Sequence, residues 1–148
     1  MQQLNLPSYP FKIKNENGKP FIFDQLRKKY VALTPEEWVR QHFTSFLISE
    51  KGYPASLIAN EHPICINGHK RRCDTVVYNN HGHPVVIVEY KAPYVAITQE
   101  TFNQIALYNI KFKVGYLIVS NGLQHYCCRM NYENMTYEFL PDIPSYTR

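Results

Sequence analysis

Two short apolar runs, Thr75–Tyr78 and Val85–Val88, stand on either side of a stretch rich in Asn, His and Gly. That arrangement predicts a β-hairpin. Its ionisable residues fall at the strand ends: Asp74 opens the first strand, and Glu89 and Lys91 close the second. Antiparallel pairing about a loop near Asn80–His81 brings those ends together. Side chains alternate faces along a strand, so Glu89 and Lys91 project to one side and Tyr90 to the other. Upstream, Ile64-Cys65-Ile66 reads as a first core strand, and Asn67-Gly68 as a tight turn. Lys70-Arg71-Arg72 then feeds the strand of Asp74, with Lys70, Arg72 and Asp74 on one face by alternation.

Helical periodicity appears twice. Thr34-Pro35-Glu36-Glu37 combines a natural N-cap, a proline at the first helical position and the acidic residue of a capping box. The helix it starts runs to about Ser49, with Val39, Phe43, Phe46 and Leu47 on one face. At about 100° per residue, Glu36 lies about 20° from Phe43, over the apolar face, and Glu37 points about 120° away. Arg40 follows one turn after Glu36 and reaches the same edge. The second helix is expected over Thr98–Ile110, with Thr98 as N-cap and Phe102, Ile105, Ala106 and Ile110 as its apolar side. Gln104 and Tyr108, four apart, stack on one of its faces.

The remaining segments read as strands and turns. Val114–Ser120 is apolar and follows a crossover helix, which suggests parallel pairing within a covered sheet. Asn121-Gly122 turns the chain, Leu123–Met130 pairs back, and Thr136–Leu140 adds a short last strand. An accessory hairpin is expected at about residues 11–24, around the turn Asn15–Gly18. Residues 1–10 and Pro141–Arg148 each contain two prolines and are expected at the periphery. The basic cluster Arg27, Lys28 and Lys29 reads first as a solvated face.

Composition narrows the class. A chain of 148 residues supports one domain with its own core, and 45% apolar content with 14% aromatics excludes disorder. A net charge of +4 is a mild inclination toward polyanions. Four cysteines without a C-x-x-C pair suggest neither a zinc site nor a disulfide framework, and reduced thiols fit the cytoplasm. No apolar run reaches membrane-spanning length, and the start M-Q-Q-L-N-L-P lacks the features of a signal peptide. A cytoplasmic protein without membrane contact is the expectation.

Two carboxylates and a lysine at the end of a half-buried hairpin are costly to desolvate, and a divalent cation offsets that cost. Mg²⁺ suits such a site, because it keeps several waters and takes one or two protein carboxylates. The spacing Asp74-x14-Glu89-Tyr90-Lys91 resembles the PD-(D/E)xK nuclease superfamily, with Cys73 in the place of its proline. Gln104-x-x-x-Tyr108 in the following helix is similar to the nuclease domains of recombination helicases. The runs T-P-E-E-W-V-R-Q, R-C-D-T-V-V-Y, V-E-Y-K-A-P, Q-I-A-L-Y-N and V-S-N-G resemble, in order, the N-terminal nuclease domain of type I restriction enzyme R subunits. The likeness spans about Phe11–Met130 and is greatest to small stand-alone proteins carrying that domain.

The resemblance implies an α+β (α/β sandwich-like), restriction-endonuclease-like fold: a mixed central sheet flanked by helices, in the core order α-β-β-β-α-β. It implies metal-dependent hydrolysis of DNA, endonucleolytic rather than exonucleolytic, with Mg²⁺ replaceable by Mn²⁺. Asp74, Glu89 and Glu36 would hold metal, with Lys91 and Gln104 beside them in catalysis. Lys70, Arg71, Arg72, Arg40 and Tyr108 would contact nucleic acid. R subunits also carry a helicase motor, for which this chain has no room, so translocation is either missing here or supplied by a helicase or restriction-modification partner; a homodimer stays open. Two other classes also stay open: a nucleic-acid-binding or partner module that keeps the fold without turnover, and a structural core domain whose charged edge serves a protein interface.

Overall fold

The structure is a computed structural model that describes residues 1–66 and 68–147. Asn67 lies outside the described residues, and with it part of the Asn67-Gly68 turn. The accessory hairpin is present as β1 (Ile13–Glu16) and β2 (Lys19–Asp24), and a third strand, β3 (Lys29–Ala32), extends it to a small antiparallel sheet. Asn17 and Gly18 turn the hairpin with φ of 54° and 78°, the left-handed pair that a tight two-residue turn requires. β3 hangs on Asp24, whose Oδ1 accepts from the Leu26 and Arg27 amides at 2.7 and 3.2 Å and tightens the turn between β2 and β3.

Helix α1 (Pro35–Ser49) begins where its cap dictates, with the Glu37 amide donating to Thr34 Oγ1 at 3.1 Å. There follow β4 (Ile58–Ile66), β5 (His69–Tyr78), β6 (Pro84–Tyr90), α2 (Gln99–Asn109), β7 (Tyr116–Ser120), β8 (His125–Asn131) and β9 (Thr136–Phe139). The six strands form one sheet in the order β4-β5-β6-β7-β8-β9. β6 and β7, joined through α2, pair in parallel; the other neighbours are antiparallel. This is the expected mixed sheet and core order. Pro63 is tolerated in β4 because β4 is an edge strand.

Alternate residues of the central strands serve opposite faces. Val77, Val88 and Ile118 pack with Val39, Phe43 and Leu47 of α1. Val76, Ile87 and Leu117 pack with Phe102 and Ala106 of α2 and with Phe112 beyond it. Both faces are covered, so the central strands read as continuous apolar runs. Each large side chain buried this way contributes roughly 1.5–3 kcal/mol. No helix among the described residues is long and apolar enough to cross a membrane.

α1 is buried on more than one side. Besides its apolar stripe, Glu37, Arg40, Gln41 and Thr44 are buried at the spacing i, i+3, i+4, i+7. Asp24, the last residue of β2, and Arg27, in the turn after it, meet that second stripe: Arg27 bonds both Asp24 and Glu37. The ends of the chain also differ from expectation. Leu4 is 6% exposed and Ile143 likewise 6%, both within the α1-side core. The Asn5 amide donates to the Gly122 carbonyl at 2.8 Å, and Tyr53 Oη donates to the Pro144 carbonyl at 2.8 Å. Both segments supply apolar residues to the α1 side of the sheet and so cannot remain peripheral.

Candidate active site

The site lies at a fork between strands. The paired residues of β5 and β6 end at Thr75↔Val88. Beyond that point β5 stays with β4 down to His69, and β6 stays with β7 up to Tyr90↔Ser120. Asp74 and Glu89 stand where the two strands part. Asp74 Oδ2 accepts the Tyr90 amide at 2.9 Å, so a side chain takes over where the backbone ladder stops. The Glu89 carboxyl is close enough to the Asp74 carboxyl for the two to perturb one another. Burial, and then the charge of Asp74, push Glu89 up to about 7, against the opposing pull of Arg71. Cys73, fully buried beside the pair, has its thiol pushed up to about 11 by that burial and is not an activated nucleophile.

Arg71 closes the fork. One arm of its guanidinium, Nη2, donates to Glu89 Oε1, and the other, Nη1, to Asn109 Oδ1. Its central carbon lies 4.7 Å from the ring centre of Tyr108. Its Nε is buried without a hydrogen-bond partner among the described residues. The expectation that Arg71 is a free nucleic-acid contact is therefore corrected: it is engaged with a carboxylate of the site. Asn109 is 1% exposed and is itself held, through Nδ2, by the Ile105 carbonyl at 2.8 Å. Motif matching passes over Asn109, yet a signal exists. It continues the buried stripe Phe102, Ala106 at i+7, and a polar residue on an apolar stripe is the informative kind.

The other expected site residues divide. Glu36 is solvent-exposed, and the buried carboxylate of the first turn is Glu37, which is 4% exposed. Glu37 accepts from Arg27 Nη2 at 2.8 Å, Arg40 Nη2 at 3.0 Å and Gln41 Nε2 at 2.9 Å. Its side chain serves this network instead of returning to the cap. Arg40 is buried, pairs also with Glu61 at 2.8 Å, and donates to the Asp74 carbonyl at 2.7 Å. It braces the strand of Asp74 and is not free to grip a phosphate. Gln104 is exposed, because it lies about 160° around the helix from Phe102 and Ala106, which face the sheet. Tyr108 is exposed too, and meets the site only through its stack on Arg71.

Lys70 and Arg72 are exposed, as a phosphate contact requires. Arg72 lines an open polar groove with Arg27, Lys29, Thr34, Arg40 and Glu61, on the side of α1 and the small sheet. Lys91 is half-buried, and its amide donates to the Ser120 carbonyl at 2.9 Å. It lies one residue past the end of β6, two positions after Glu89. Among the described residues no group of three or more His, Cys, Asp or Glu side chains is assembled to hold a metal ion. Glu36, facing solvent, does not join Asp74 and Glu89 in such a group. That pair still fits a hard divalent cation, which draws most of its shell from water.

The family model described as type I restriction enzyme R protein N terminus matches residues 35–144. The chain belongs to this family. In this R-protein N-terminal domain the matched stretch takes in the fork, α1 and α2, and leaves the small sheet outside it. Among solved structures, the chain is similar to a fragment described as an HsdR subunit of a type I restriction enzyme from Vibrio vulnificus YJ016. The identity is 18% and the TM-score 0.52, so the likeness concerns the fold; it covers 76% of this chain and 24% of the other. The chain thus spans about a quarter of that fragment's length. No curated protein matches the chain.

Proposed function

We propose that this R-protein N-terminal domain is a divalent-metal-dependent deoxyribonuclease that cuts phosphodiester bonds within DNA. The observation that carries the reading is the convergence of Asp74 and Glu89 at the strand fork. Two carboxylates desolvated side by side repel one another, and perturbed groups of this kind concentrate at functional sites. Asp74 and Glu89 would hold Mg²⁺, or Mn²⁺ in its place. When bound, such an ion polarises a phosphate and acidifies a water. Tyr90 fixes one oxygen of Asp74 through its amide and so orients the carboxylate. Lys91 would place its ammonium against negative charge that grows on the phosphoryl oxygens. Lys70 and Arg72 would position the DNA backbone without reading its sequence. Glu36 and Gln104, both facing solvent, take no part. A helicase or restriction-modification partner would deliver the DNA.

Incubation of supercoiled and linear DNA with Mg²⁺ or Mn²⁺, beside a Lys91→Ala control, tests this reading. Nicking of the supercoiled form by the parent protein and not by Lys91→Ala is the expected result. Loss of linear DNA from its ends, with the supercoiled form intact, would overturn the endonuclease assignment. One observation favours a second reading. Arg71 already neutralises Glu89, as in a site that keeps the fold and binds DNA or a partner without turnover. Absence of cleavage with either metal selects that reading.

A further inference from the structure

Arg71 pairs with the carboxylate that a divalent cation would use. It reaches Glu89 from a part of β5 that no longer pairs with β6, so its own strand does not force it there through the ladder. Its other supports are Asn109, the exposed ring of Tyr108 and, 6.0 Å from its central carbon, the buried ring of Phe112. Its Nε finds no partner among the described residues, so one of the donors of the guanidinium is buried and unsatisfied there. Its side chain is 12% exposed, so it is not sealed from solvent. A guanidinium and a divalent cation cannot both neutralise the same carboxylate oxygen at full strength.

We infer that Arg71 is an internal counter-ion: it holds Glu89 while the site lacks a metal, and a divalent cation must displace it. The inference rests on the metal-dependent reading above and adds a competitor within the chain. Displacement would free a planar guanidinium, already stacked on a tyrosine, beside the site. A guanidinium in that state suits the oxygens of a phosphate. A purely structural Arg71 makes the opposite forecast, because its loss would let Glu89 wander and weaken metal binding.

The test is titration of Mn²⁺ into parent protein and Arg71→Gln, followed by electron paramagnetic resonance and by calorimetry at one pH above 8. Asp74→Asn serves as the control that removes a proposed ligand. Arg71→Gln is expected to bind Mn²⁺ on the order of tenfold more tightly, the scale of one removed charge interaction. Equal or weaker binding by a folded Arg71→Gln, while the parent binds, overturns the counter-ion and leaves the nuclease reading standing. Failure of both proteins to bind Mn²⁺ overturns the counter-ion and the metal reading together. Should Arg71→Gln fail to fold, the parent decides through its own arginine side-chain resonances during Mg²⁺ titration. Faster solvent exchange of the Arg71 guanidinium with rising Mg²⁺ supports displacement, and an unchanged rate overturns it.

Discussion

Arg40 donates from Nη1 to the backbone carbonyl of Asp74 at 2.7 Å, and so ties helix α1 to the strand that carries the first carboxylate of the site. The same guanidinium pairs with Glu37 and Glu61, and burial, which would lower its basicity, is outweighed by those two carboxylates. Positioning of Asp74 therefore depends on a charged network beneath the small sheet.

That network sets the first prediction. Glu37→Ala leaves the buried guanidinium of Arg40 and the half-buried one of Arg27 short of a partner and is expected to cost about 3–5 kcal/mol. Glu36→Gln, in solvent, is expected to stay within about 0.5 kcal/mol of the parent. Urea unfolding midpoints of the two variants check the contrast, and a costlier Glu36→Gln would show that the second buried stripe is misassigned.

Lys91, Lys70 and Arg72 are expected to separate in kinetics. Loss of a donor aimed at developing charge lowers turnover by roughly 10²–10³-fold, so Lys91→Ala should bind DNA normally and cut it slowly. Loss of a phosphate contact lowers the salt dependence of binding by about one ion, so Lys70→Ala and Arg72→Ala should recover activity at low salt or high DNA concentration. Single-turnover rates across a salt series distinguish the two behaviours.

A pH dependence follows from Glu89. Its carboxyl is raised from 4.5 to about 7, first by burial and then by Asp74, so the folded protein holds a proton that the unfolded chain gives up. The stability linked to that proton is complete below about pH 4.5 and is lost as pH rises toward about 7. The loss amounts to at most about 3 kcal/mol at 1.36 kcal/mol per unit. Melting temperatures from pH 4.5 to 8 without metal should fall for the parent by more than for Glu89→Gln, whose amide oxygen still accepts from Arg71.

The amino-terminal segment supplies the last prediction. Gly122 has φ of +86°, and a Cβ added there would lie 2.7 Å from Leu4 Cδ2. Gly122→Ala is expected to destabilise by at least about 1 kcal/mol through backbone strain alone. Leu4→Ala, a buried truncation, is expected to cost about 2–5 kcal/mol. The double variant should lose less than the sum, because removing the leucine methyls relieves the clash. Additive losses in thermal unfolding would mean that the two residues do not touch.

Local signals along the chain were enough to place both helices, their threonine caps, the central hairpin and the parallel strand after α2. Each depends on residues a few positions apart: Thr34 with Glu37, Thr98 with Thr101, alternation on either side of Asn79–His83. The meeting of Asp74 with Glu89 was legible for the same reason, since one hairpin register brings them together. What the sequence left undecided depended on distant partners. Glu37 is buried instead of Glu36 because Arg27 and the small sheet cover a second, polar stripe of α1 that no single-face periodicity reveals. Arg71 turns inward because Asn109 and Glu89 wait at the fork, 38 and 18 residues away. Charged side chains carry no periodic mark of the partner they will find, so only the folded chain decides which of them face a ligand and which neutralise one another.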